Sequence, residues 1–177
     1  MKFTPLAIPG AWQLDVDRHE DERGFFARSW CAEEFAAHGL NAGFIQSSVS
    51  YNRRRGTLRG MHLQRDPHGE EKLVRCTAGA MYDVLLDLRP DSPAYLRWAA
   101  VELTADNRRS VYIPKGVAHG FQTLSDDSEV LYCMTVTFHP AASMGVRWND
   151  PAFAIDWPVA EITISDRDAA YPDYRRE

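Results

Sequence analysis

The 177-residue chain is short of cysteine: Cys31, Cys76 and Cys133 stand far apart, with no CxxC pair. An odd, scattered set suggests neither a disulfide framework nor a zinc knuckle. It fits a reducing cytoplasm in which each thiol is a buried, inert group. No window supplies the ~20 apolar residues that a membrane span requires. The N-terminal stretch carries Pro5 and Pro9 inside its short apolar run and does not read as a signal peptide. A large basic block is also absent. Lys and Arg number 20 against 25 Asp and Glu, a formal charge of −5, which argues against nucleic acid or an anionic membrane as the main partner. There is no GxxxxGK[ST], no GxGxxG after a strand, no HExxH and no GxSxG. P-loop phosphoryl transfer, Rossmann hydride chemistry, zincin proteolysis and α/β-hydrolase acyl transfer therefore lose their usual equipment.

What is present is the composition of a folded chain, with 45% hydrophobic, 11% aromatic and 25% charged residues. A chain of this length buries roughly 70% of its unfolded surface, enough for a core without disulfides or a structural metal. No repeat or linker divides it, so residues 1–177 are expected to form one domain. Ala11 to Val16 alternates, His19 to Gly24 reads as a charged turn, and Phe25 to Trp30 as extended chain. Cys31 to Gly39 has helical spacing, with Gly39 as its stop. Successive apolar runs then follow: Phe44–Tyr51, Thr57–Gln64, Lys72–Ala78, Ala80–Leu88, Arg97–Leu103, Ser110–Ile113, Gly120–Leu124 and Glu129–Phe138. Separated by Gly, Pro, Asp and Asn, they form the pattern of an all-β antiparallel sandwich or jelly roll with a few short helices. Beyond Pro140 the pattern is irregular, except that Ser165 to Ala170 reads as a helical turn capped by Ser165, with Asp168 at its third position.

Several polar residues interrupt these runs where alternation places them on an inner face. His62 and Gln64 share a face by the period of two, in the run that also holds Arg59. Lys72 opens the next run, His119 follows a turn around Gly116, and Tyr132 lies in an apolar stretch. Taken singly, a strand histidine is usually structural, Tyr132 reads as core, and Arg53-Arg54-Arg55 as a solvated turn. An inward lysine is harder to dismiss, because lysine is rarely buried without a partner. In a jelly roll these side chains converge on one cavity, and their conjunction points to a site.

Seven segments carry a resemblance. They are Asp21-Glu22-Arg23-Gly24-Phe25-Phe26, Gly56 to Gln64, Lys72-Leu73-Val74-Arg75-Cys76, Tyr82-Asp83-Val84 with Asp87-Leu88-Arg89, Pro114 to Phe121, Arg147 to Pro151, and Ile164 to Asp168. In order and spacing, from about Trp12 to Pro172, they resemble the dTDP-4-dehydrorhamnose 3,5-epimerase family. The resemblance implies a cupin-type jelly roll, a homodimer, and neither metal nor organic cofactor. It assigns His62 as catalytic base, Asp168 as its paired carboxylate, Lys72 as the cation beside the sugar's keto oxygen, and Tyr132 as the acid on the opposite face. It makes Arg23 and Arg59 the grip on a nucleotide diphosphate, and His119 and Phe26 pocket contacts; Gln64, on the strand face of His62, is a further candidate for substrate binding. Arg28, Phe138-His139 and Ala141-Ala142-Ser143 depart from residues frequent in that family, near the nucleotide and the pocket rim.

The chemistry of these residue types agrees. Inverting a carbon beside a ketone needs a base on one face, a charge to stabilise the enolate, and a proton donor on the other face. An imidazole suits the first task, an ammonium the second and a phenol the third. Arginine forks suit diphosphate oxygens remote from the reacting carbon. The expected partner is a nucleotide-diphosphate 4-keto-6-deoxyhexose. Two readings stay beside this one: an epimerase of C3 or C5 alone on another nucleotide sugar, such as a CDP-linked one, and a metal-dependent cupin oxygenase or isomerase. The latter usually requires His-x-His, whereas this chain offers His62-x-Gln64 with the cation Lys72 nearby. A sugar-nucleotide binding module without catalysis is a third, and predicts affinity without proton exchange.

Overall fold

The computed structural model describes residues 1–175. Two antiparallel sheets face each other. The first holds six strands in the order β1 (Lys2–Pro5), β2 (Trp12–Asp15), β10 (Ser110–Ile113), β7 (Lys72–Ala78), β12 (Ser128–Met134), β5 (Gln46–Asn52). The second holds five, in the order β13 (Ser143–Gly145), β6 (Leu58–Gln64), β11 (Val117–Thr123), β8 (Ala80–Asp87), β9 (Trp98–Thr104). From β5 onward the chain crosses repeatedly between them, which is the cupin-type jelly roll. A separate hairpin, β3 (His19–Asp21) with β4 (Gly24–Phe26), pairs only with itself. Among the described residues no helix is long and apolar enough to cross a membrane.

Alternation explains the core. Val74, Cys76 and Val130 from the first sheet meet Met81, Leu85, Val101, Leu103 and Phe121 from the second, all buried. Each sheet's outer face is also covered in part. Helix α1 (Ala32–Ala37) places Phe35 against Leu14, Leu73 and Tyr112, and ends before Gly39 at φ +68°. The segment after β13 lays Val146, Phe153 and Ile155 on Met61, Val84 and Leu86. It is tied down by Leu58 N to Thr163 O at 2.8 Å, by Thr163 N to Gly56 O at 3.0 Å, and by Gln122, whose amide exchanges two hydrogen bonds with the Val159 backbone. Cys76 is fully buried and burial pushes its thiol up to about 11, as expected of an inert group, whereas Cys31 and Cys133 are only half-buried.

The expected strands β7 and β10 have the bounds read from the sequence, and others shift for local reasons. The turn after β10 closes at Gly116 (φ +78°), with Val117 N bonded to Pro114 O, so β11 starts at Val117 and His119 lies in a strand rather than after a turn. The run expected to reach Phe138 stops at Met134, where its ladder partners Gln46 and Lys72 are the first residues of β5 and β7. The charged stretch from His19 folds as a hairpin, and the extended run after it pairs only as far as Phe26. Strands β1 and β13 carried no sequence expectation.

One crossing is steric. Between His119 and Phe121 the β6–β11 register shifts, so Arg59 and His62, three residues apart, both reach the cavity that strict alternation would deny to one of them. The two backbones touch at Gly60 and Gly120. A Cβ on Gly60, at φ +140°, would lie 2.4 Å from the Gly120 Cα. Gly60→Ala is therefore expected to cost about 3 kcal/mol of stability in urea unfolding; parental stability would show that the crossing accepts a methyl group.

Candidate active site

The cavity, of about 460 Å³, lies between the sheets and adjoins the apolar core at Phe121 and Tyr132. From the first sheet, β5 contributes Gln46, Ser48 and Ser50, β7 contributes Lys72, and β12 contributes Tyr132 and Met134. The register sets Lys72, Met134 and Gln46 side by side in one row and Val74, Tyr132 and Ser48 in the next. From the second sheet, β6 contributes Arg59, His62 and Gln64, while β11 contributes His119 and Phe121. His62 and His119 are cross-strand neighbours. Tyr132 and His62 thus stand on opposite walls of one cavity.

Asp168 arrives from far along the chain. It lies in the single-turn helix α2 (Asp166–Ala169), whose N-cap Ser165 accepts from the Asp168 amide at 3.2 Å, as the capping pattern predicts. Its Oδ1 meets His62 Nε2 at 2.7 Å and its Oδ2 accepts from the Gly60 amide at 3.3 Å. Burial pushes the Asp168 carboxyl up, but the hydrogen bond and charge of His62, then the Gly60 amide and Arg167, outweigh it and hold the group below the usual carboxylate range. An ionised carboxylate only accepts, so His62 carries a hydrogen on Nε2, and in the neutral imidazole the lone pair is then on Nδ1. The His62 ring also meets Tyr171 edge-on at 6.2 Å.

A second pair lies alongside. His119 Nε2 is 2.8 Å from Asp83 Oδ2, and Asp83 is fully buried, with Oδ1 lacking a hydrogen-bond partner. Burial drives its carboxyl upward against the opposing pull of His119 and Lys72. Lys72 Nζ pairs with Glu70 Oε1 at 3.0 Å, both groups largely withdrawn from water. Arg59 Nε donates to Asn52 Oδ1 at 2.8 Å. Among the described residues no three His, Cys, Asp or Glu side chains cluster so as to hold a metal ion.

Of the residues singled out from sequence, His62, Tyr132, Asp168, Lys72, Arg59, Gln64 and His119 all line this cavity. Arg23 and Phe26 do not. Arg23 sits at the hairpin turn, its side chain 85% exposed and paired with Asp21 at 2.6 Å. Phe26 is 75% exposed and borders a smaller recess of about 230 Å³ with Arg28 and Glu34. Asp83, Glu70, Arg167 and Tyr171 were not among the site residues expected from sequence. Asp83 had a signal, as one of two acids, with Asp87, inside the apolar run Ala80–Leu88, and Arg167 adjoins Asp168. Glu70 lies in a loop and Tyr171 in irregular chain, where no periodicity speaks.

A family model described as dTDP-4-dehydrorhamnose 3,5-epimerase matches residues 5–176. The chain belongs to that family. This epimerase is 38% identical over 181 residues to the dTDP-4-dehydrorhamnose 3,5-epimerase of Mycobacterium tuberculosis, covering 98% of its own length and 88% of the relative's. Its fold superposes at a TM-score of 0.94 and 38% identity on the Bacillus anthracis enzyme of the same name solved with TDP and PPi bound, covering 98% and 99% of the two chains. It superposes at 0.89 and 33% identity, covering 99% of each, on the Legionella pneumophila dTDP-6-deoxy-D-glucose-3,5-epimerase in complex with dTDP-4-keto-L-rhamnose. The epimerase is accordingly an isomerase.

Because the folded Asp168 is more acidic than its unfolded counterpart, the stability drawn from its ionised form is present above the ordinary carboxylate pKa of 3.8 and is lost as pH falls through the lower folded value. Asp168→Asn should thus unfold about 2 kcal/mol more easily at pH 6, with a smaller gap at pH 3. Thermal melts at the two pH values check this, and a gap that widens in acid would contradict it.

Proposed function

We propose that this epimerase inverts C3 and C5 of dTDP-4-dehydro-6-deoxy-D-glucose to give dTDP-4-dehydro-L-rhamnose, with His62 as base and Tyr132 as acid. The supporting observation is the pair of opposed walls: the His62–Asp168 dyad on the five-stranded sheet, Tyr132 on the six-stranded sheet, and a sugar-sized cavity between. Nδ1 of His62 takes the proton from the carbon beside the C4 ketone. The C–H electrons pass to the C4 oxygen as an enolate, which the Lys72 ammonium stabilises. The enolate collapses as Tyr132 delivers a proton to the opposite face of that carbon, inverting it. Solvent then reprotonates the phenolate and takes the proton from the imidazole.

Arg59 lines the cavity and is assigned to the diphosphate, with His119 and Gln64 as walls of the sugar site. Arg23 and Phe26 do not line the cavity of their own chain, so their part in substrate binding requires a second copy. A homodimer has surface to use. Ile45, Val49 and Tyr51, on and beside the edge strand β5, are exposed, as are Phe25 and Phe26 on the hairpin. Three free cysteines suit a reducing cytoplasm.

Incubation with the nucleotide sugar in heavy water provides the test. Deuterium is expected at both C3 and C5. Its absence from both defeats the reading, and label at one position alone reduces the enzyme to a mono-epimerase. His62→Ala should slow exchange by about 10²- to 10⁴-fold. Tyr132→Phe should impair completed inversion more than initial exchange. Parental rates in either variant would remove that residue from its role.

A further inference from the structure

Glu70 is an acidic group in the cavity wall that the proton-transfer steps leave without a task. Its side chain is 8% exposed and its Oε1 lies 3.0 Å from the Nζ of Lys72, itself 11% exposed. The other oxygen, Oε2, is held by the side-chain amide of Gln64. Gln64 is itself immobilised. Its amide nitrogen donates to the carbonyls of His68 at 3.2 Å and Thr137 at 3.4 Å, and its oxygen accepts from the His139 amide at 2.6 Å. A chain of contacts thus runs from β6 of one sheet, through Gln64 and Glu70, to the ammonium on β7 of the other.

A pair this withdrawn from water differs from a surface ion pair, whose net worth is near zero. Desolvating the two ions is costly, and only close geometry with further hydrogen bonds recovers that cost. Here the geometry is supplied by Gln64, which fixes the carboxylate before Lys72 meets it. The lysine side chain is otherwise long and freely rotating, and a second acid, Asp83, lies within its electrostatic reach.

We infer that Glu70 is a positioning residue that holds the Lys72 ammonium where the C4 oxygen gains its charge. The inference rests on the reading of Lys72 as the group that stabilises the enolate. Glu70 also adds negative charge to a cavity meant for an anionic substrate. If that repulsion were its main effect, removing it would improve binding and turnover. Positioning predicts the opposite, because a catalytic charge displaced by about 1 Å can cost on the order of 100-fold in rate.

The experiment compares Glu70→Ala, Glu70→Gln, Lys72→Met and the Glu70→Ala/Lys72→Met double variant with the parent, using dTDP-4-dehydro-6-deoxy-D-glucose. Steady-state kcat and KM, deuterium uptake from heavy water, and unfolding midpoints are recorded. Glu70→Ala is expected to lower kcat about 10- to 100-fold while KM changes by less than about threefold. Glu70→Gln keeps an amide oxygen for the ammonium but sets its NH2 against the Gln64 amide donor, so it should recover part of this and fall about 3- to 10-fold below the parent. In the Lys72→Met background the Glu70→Ala change should slow exchange no further, since its effect passes through the missing ammonium. A kcat for Glu70→Ala within about twofold of the parent, a rise in kcat with a lower KM, or full additivity in the double variant overturns the inference. Should Glu70→Ala fail to fold, Glu70→Gln decides, and a parental kcat there counts against positioning. Lys72→Met that still exchanges at the parental rate sinks the reading of Lys72 itself, an outcome distinct from neutral Glu70 variants beside an inactive Lys72→Met.

Discussion

A charged group taken out of water must find an opposite charge or a full set of hydrogen bonds. The cavity meets this demand in pairs: His62 with Asp168, His119 with Asp83, Lys72 with Glu70, Arg59 with Asn52. Asp168 and Glu70 do more than pair with a charge. Asp168 selects the neutral His62 tautomer and thereby the ring nitrogen that keeps its lone pair. Gln64 holds Glu70, and Glu70 meets the ammonium. The outcome is a site whose charges are oriented before any substrate enters, the condition under which fixed groups stabilise developing charge most effectively.

The two-sheet architecture makes those pairs possible. A single sheet offers one inner face, whereas inversion needs groups above and below the reacting carbon. Facing sheets supply both walls, and repeated crossing of the chain between them sends neighbouring segments to opposite sides. His62 and Lys72 are ten positions apart in sequence yet belong to different sheets. The demand for close approach at Gly60 and Gly120 follows from the same design, because the register shift there turns Arg59 toward the cavity already occupied by His62.

Local periodicity was a good guide wherever one strand explained a residue. The period of two put His62 and Gln64 on a common face, the alternation of Lys72, Val74 and Cys76 pointed the lysine inward, and the Ser165 cap set the turn that presents Asp168. It failed where two segments had to agree. Arg59 faces the cavity only through a shifted register with β11, and His119 belongs to a strand whose start is set by the turn at Gly116. The hairpin bearing Arg23 and Phe26 gave a family motif with no hint that it stands apart from the cavity of its own chain.

From residue pattern alone came the antiparallel all-β class, most strand positions, the inward polar residues and, through motif resemblance, the family. These are properties of short segments, and side-chain alternation, turn chemistry and capping act over only a few residues. Which charges become partners was settled by the tertiary structure. Asp168 stands 106 residues from His62 and Asp83 36 from His119, separations over which no sequence period carries information. Glu70, from a loop without periodicity, acquires its meaning only once folding withdraws Lys72 from water and leaves that carboxylate to face it.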